Sequence, residues 1–153
     1  MRTVALRAAS RGVPVTYAMM TQFATLSPHA HVDEAVQTLL QTSQSEFPVV
    51  DDVGKPVGVL GRADLIRAIK TRGADARVSD AMTAELPTIS HRVTLEQAFK
   101  LLQQKSAPAV GITDAAGKLA GLVTGETIAE MMMLQEALPG GIRPGPWGRP
   151  AGA

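Results

Sequence analysis

A chain of 153 residues, 45% hydrophobic and 19% charged, has the composition of one globular unit or two very small ones. With 15 basic against 14 acidic residues its net charge is +1, which excludes the bulk field that nucleic-acid or membrane-surface binding draws on, so no nucleic-acid partner is expected. The absence of cysteine excludes disulfides and cysteine-rich zinc sites and suits a reducing, cytoplasmic setting.

In chain order, the opening MRTVALRAASRG carries Arg2, Arg7 and Arg11 without the continuous apolar stretch of a secretory signal. It reads as a helical lead-in over residues 1–14, its helix ending at Gly12. After VTYAM, the alternating FATLS suits a short strand. Ser27-Pro28 reads as a helix start, and Val32, Ala35, Val36, Leu39 and Leu40 make one apolar stripe at helical spacing. Two apolar strands follow, FPVV and PVGVL. Between them Asp-x-x-Gly-Lys forms the turn, with Gly54 supplying a positive φ. A last helix begins near Arg62, with Leu65, Ile66 and Ile69 expected to face inward.

The same grammar then returns without a gap. Met19 recurs as Met82, Thr25 as Thr88, Ala35 as Ala98 and Gly54 as Gly117, an offset of 63 residues. VSDAM and LPTIS replace VTYAM and FATLS. Thr94-x-x-Gln97 is a capping box, opening a helix with Leu95, Ala98, Phe99 and Leu102 on one face. AVGIT and LAGLV flank the turn at Gly117, and the last helix, from near Gly125, has Ile128, Met132 and nearby methionines inward. The predicted organisation is repeat one over 15–72, repeat two over 78–138, and a Pro/Gly-rich tail over 139–153. Units this small bury their apolar faces against each other. The tail holds five glycines and four prolines, so it is expected to be extended, with Trp147 exposed. The longest apolar runs, MMML at 131–134 included, fall far short of the roughly 20 residues that span a bilayer.

The VTYAM and VSDAM lead-ins, with FPVVDDVGKPVGVLGRADLI and VGITDAAGKLAGLVTGETI, resemble a tandem pair of CBS domains, or Bateman module, over about residues 13–138. The resemblance implies an α/β (α+β) fold of two βαββα repeats packed about a pseudo-two-fold axis, commonly as a homodimer, with adenosyl ligands held in the cleft between copies. AMP, ADP, ATP and S-adenosylmethionine are the implied regulatory ligands, and no cofactor is required. A finer resemblance rests on RAASRGVPVTYAMMTQFATLSP, QSEFPVV and ETIAEMMMLQEAL, which look like the CBS pair on the C-terminal side of site-2-type intramembrane zinc metalloproteases. It implies a membrane protease domain as partner, and a cytoplasmic location that reaches the membrane only through a partner or upstream domain.

CBS domains often carry Thr-x-x-Asp at the start of the last helix, for phosphate and ribose. Here the motif is split. Copy one, Gly61-Arg62-Ala63-Asp64, keeps the carboxylate; copy two, Thr124-Gly125-Glu126-Thr127, keeps the hydroxyl. The resemblance implies ligand-binding roles for Asp64 on ribose, Arg62 on phosphate, Phe47 and Pro48 beside the base, Ala24, Thr25 and Leu26 in the early strand, and Thr88, Val110, Thr124 and Thr127 in copy two. Copy one reads as the better adenosine site. The same residues have bland readings: Asp64 in a first helical turn and Thr124 as an N-cap are favoured without any ligand, and Arg62 can be a solvated helix-start residue. The Gly-Lys pairs are turns, because a phosphate loop needs Gly where Val49 and Ile112 stand and Ser or Thr where Pro56 and Leu119 stand. None of His29, His31 and His91 lies in an HExxH, so neither metal nor catalytic residues are expected, and the chain is not read as an enzyme.

Overall fold

A computed structural model describes residues 12–138. The expected lead-in helix, up to residue 11, and the tail with Trp147 lie outside the described residues. After a 3₁₀ turn at Val15–Tyr17 the elements are α1 (Val32–Leu40), β1 (Glu46–Val50), β2 (Pro56–Gly61), α2 (Arg62–Arg72), a short α3 (Val78–Ala81), β3 (Thr83–Ala84), β4 (Thr88–Ser90), α4 (Leu95–Gln104), β5 (Ala109–Thr113), β6 (Leu119–Thr124) and α5 (Gly125–Ala137). They form the expected mixed α/β fold of two repeats. One sheet has the order β1-β2-β3 and is antiparallel; the other is β4-β5-β6, with β4 parallel to β5.

The repeated Asp-x-x-Gly-Lys builds the same turn twice. Asp51 Oδ1 accepts from the backbone N–H groups of Val53 (3.1 Å) and Lys55 (2.8 Å), and Asp114 Oδ1 from those of Ala116 (2.9 Å) and Lys118 (3.0 Å). Gly54 and Gly117 sit at φ of 86° and 82°, a region that side chains with a Cβ avoid.

The lead-in of each copy crosses to the other. Met20 bridges Leu122 of β6, and at the matching place Thr83 of β3 pairs with Val59 of β2. Val15 donates to the Val93 carbonyl (3.0 Å) as Val78 donates to that of Ala30 (2.8 Å). Packing follows the exchange. Val15, Ala18 and Met19 bury with Leu95, Phe99, Ile112 and Ile128 of copy two, while Val78 buries with Val32, Phe47, Leu60 and Leu65 of copy one. Each large side chain so buried stabilises the fold by roughly 1.5–3 kcal/mol, and much of that gain exists only with both copies folded. A third cluster, Val59, Leu86, Ala109 and Leu122, lies where the sheets meet.

Several expectations are corrected. Helix α1 starts at Val32 rather than at Ser27-Pro28; His31 is its N-cap, and its N–H donates to Glu34 Oε1 (3.4 Å). Leu40 is 71% exposed and Ile66 46% exposed, because Leu40 ends its helix and the buried face of α2 runs through Leu65 and Ala68 instead. The Met132 side chain lies outside what is described; Ile128 and Met131 are buried and Met133 is exposed. In copy one the FATLS strand shrinks to a single parallel bridge, Leu26 with Val49. Among the described residues no helix is long and apolar enough to cross a membrane.

Candidate functional site

A cleft of about 660 Å³ opens on the seam between copies. Its walls are the end of the crossing lead-in, residues 18–22, the α1–β1 connection, residues 42–46, and one face of β6 and α5 through Leu122, Thr124, Glu126, Thr127 and Glu130. The first copy and the second copy each build part of it.

The connection is held from behind by Arg62. Its Nη2 donates to the carbonyls of Thr42 (2.6 Å) and Gln44 (2.8 Å), and its Nε also donates to Gln44 (3.2 Å). Two nitrogens of the guanidinium expected to meet phosphate, Nε and Nη2, thus serve backbone oxygens, and Arg62 is not among the cleft residues. Gln44, only 6% exposed, ties the connection to the FATLS segment: Ala24 N–H donates to its Oε1 (2.8 Å), while its Nε2 donates to the carbonyls of Ala24 (2.9 Å) and Glu46 (2.7 Å). Thr124 caps α5 by accepting from the Thr127 N–H (3.1 Å), and the two hydroxyls lie 3.0 Å apart.

Of the residues selected from sequence, Thr124 and Thr127 line this cleft; Ala24, Thr25, Leu26, Phe47, Pro48, Asp64, Thr88 and Val110 do not. Phe47, Leu26 and Val110 are buried in the two cores. Thr25 and Thr88 are exposed, and Ala24 and Asp64 half-buried. Asp64 Oδ1 pairs with Arg67 Nη1 at 3.0 Å. Its other oxygen approaches Gly61 together with the Glu46 carboxylate. Burial first, and the Asp64 charge second, push the Glu46 carboxyl above its usual range.

Gln44, Glu46, Glu126 and Glu130 are cleft residues that the sequence reading passed over. A signal existed in the repeat itself: Glu46, Glu126 and Glu130 stand where the other copy has Ala109, Ala63 and Arg67. As for metals, His31, Asp33 and Glu34 bring ligand atoms within 4.8 Å of one another. The cap at the start of α1 accounts for that proximity, since Asp33 Oδ1 accepts from the Glu34 N–H (2.8 Å) and His31 Nδ1 lies 3.2 Å from Glu34 Oε1.

Residues 13–71 and 78–134 each match the CBS domain family. The chain is 35% identical over 101 residues to inosine-5'-monophosphate dehydrogenase of Aquifex aeolicus, a match that covers 65% of this chain and 20% of that protein. It thus spans about a fifth of the length of that relative. Among solved structures, CBSX2 of Arabidopsis thaliana in complex with AMP superposes with a TM-score of 0.65 at 25% identity, covering 80% of this chain and 97% of the other. The CBS domain of a bacterial CNNM/CorC family Mg2+ transporter in complex with ATP gives 0.74 at 18% identity, covering 85% and 94%.

Proposed function

The chain belongs to the CBS-domain family as a tandem pair, and on that footing we propose that it is a non-catalytic regulatory module binding an adenosyl ligand in the cleft between its copies. The observation that carries this reading is the composite cleft, walled by residues 18–22 and 42–46 from one copy and by Thr124, Glu126, Thr127 and Glu130 from the other. A ligand touching both copies favours one relative orientation over others, provided its affinity differs between them. The likeness to CBSX2 in complex with AMP supports an adenosyl group as the ligand.

The test is calorimetric titration of the purified, nucleotide-free chain with adenosine, AMP, ADP, ATP and S-adenosylmethionine, repeated on Ser43→Trp, whose ring would obstruct part of the cleft. Saturable binding abolished by that substitution supports the reading; binding by none of them refutes it. Ligand at about 100 times its Kd should also stabilise the fold by about 2.7 kcal/mol.

A second reading is a ligand-free dimerisation or docking module of a site-2-type zinc metalloprotease. It draws on Ile66 of α2 with Met133 and Leu134 of α5, 46%, 69% and 48% exposed. Silence in the titrations together with a stable dimer by light scattering would favour it.

A further inference from the structure

The charges around the cleft separate one class of adenosyl ligand from another. Three carboxylates line it, Glu46, Glu126 and Glu130, and no lysine or arginine does among the described residues. The start of a helix ordinarily attracts anions through its free N–H groups. At α5 that attraction is opposed twice: Thr124 Oγ1 already accepts from the Thr127 N–H, and Glu126 places a negative charge in the first turn. Arg62 is not among the cleft residues, and its Nε and Nη2 serve the carbonyls of Leu39, Thr42 and Gln44.

Nothing in the fold demands this acidity. At the same three positions of the other copy stand Ala109, Ala63 and Arg67, all compatible with the same strand and helix. The negative lining therefore belongs to this one cleft.

We infer that the cleft takes an uncharged or cationic adenosyl ligand, such as a nucleoside or an adenosyl sulfonium, and disfavours free nucleotide phosphates. The inference rests on the adenosyl reading above and narrows it to a charge class. A phosphate brought among these carboxylates loses solvation and gains like-charge repulsion, whereas a sulfonium or ammonium gains attraction at the same distances.

The experiment compares adenosine, AMP and S-adenosylmethionine by calorimetry at low and high salt, counting only the binding that Ser43→Trp abolishes. Expected is a cleft-dependent affinity for AMP about tenfold or more below that for adenosine, with S-adenosylmethionine the tightest and weakened by salt. The variant Glu126→Gln/Glu130→Gln should narrow the gap between adenosine and AMP by about three- to tenfold, with its folding checked by its melting curve. Cleft-dependent AMP binding as tight as that of adenosine overturns the charge assignment and leaves the adenosyl reading standing. Absence of any cleft-dependent binding overturns both.

Discussion

Gln44 makes with Ala24 the hydrogen bond that Pro48 cannot. In copy two the Gly111 N–H donates to the Pro87 carbonyl at 2.8 Å, tying the early strand to β5. The residue matching Gly111 in copy one is Pro48, which has no N–H. Gln44 Nε2 donates to the Ala24 carbonyl instead, and Gln44 Oε1 takes the Ala24 N–H as well. A side chain thus replaces part of a ladder, and FATLS is left with one bridge where LPTIS keeps a strand. Because Gln44 also lines the cleft, the substitution of side chain for strand is what brings a buried amide to the cleft's edge.

Gln44→Ala should destabilise the fold by about 2–3 kcal/mol, because it strips partners from the Ala24 N–H and from the carbonyls of Ala24 and Glu46. Gln44→Glu should cost at least as much, since a carboxylate keeps one acceptor and loses both donors. Urea denaturation reads this directly. A loss within a few tenths of a kcal/mol would show that water replaces the amide without cost.

The crossed lead-ins predict an asymmetry between two glycines at equivalent places. A Cβ at Gly58 would lie 2.6 Å from Met82 Sδ and 2.7 Å from the Thr83 carbonyl oxygen; at Gly121 it would collide only with the Met19 side chain. A thioether can swing aside, whereas a backbone carbonyl paired in a sheet cannot. Both Gly→Ala changes should destabilise within the overpacking range of about 1–3 kcal/mol, Gly58→Ala near the top and Gly121→Ala near the bottom. Equal losses in denaturation would refute the backbone argument.

The fold was legible because the 63-residue offset carries the turn and helix signals with it. The exchange of lead-ins was not, since VTYAM serves either core equally well by composition. The cleft was half legible. Thr124 and Thr127 reach it, but Phe47 does not, because successive side chains of a strand point to opposite faces. Phe47 lies in the core with Val49, and Glu46 beside it lines the cleft. The contacts of Arg62 were hidden for a different reason: a sequence shows a guanidinium's charge but not the carbonyls, some 18 to 23 residues away, that its Nε and Nη2 serve.

Arg62→Lys therefore tests a clamp against a phosphate ligand. An ammonium cannot reproduce the fork that joins the ends of the α1–β1 connection. The variant should lose about 1–3 kcal/mol of stability and weaken all cleft ligands alike, because residues 42–46 form one wall. The ratio of adenosine to AMP affinity should not move. Selective loss of AMP would return Arg62 to phosphate binding.

The last prediction concerns Glu46, whose carboxyl titrates above the usual 4.5 through burial and then through the Asp64 charge. A carboxyl raised in the folded state favours the protonated form there, so the folded chain holds more proton than the unfolded one in that window. Its stabilising contribution is complete below the ordinary glutamate value and is lost as pH rises through the raised one. Glu46→Gln, which cannot ionise, should thus melt higher than wild type at pH 7, with the difference shrinking as the pH falls to 4. Asp64→Asn should lower the Glu46 titration without returning it fully to normal, because burial is the larger cause. Melting curves over pH 4–8 and an NMR titration of the Glu46 carboxyl check both statements. A Glu46→Gln variant that melts lower than wild type at pH 7 would mean that the ionised carboxylate has a stabilising partner in solution.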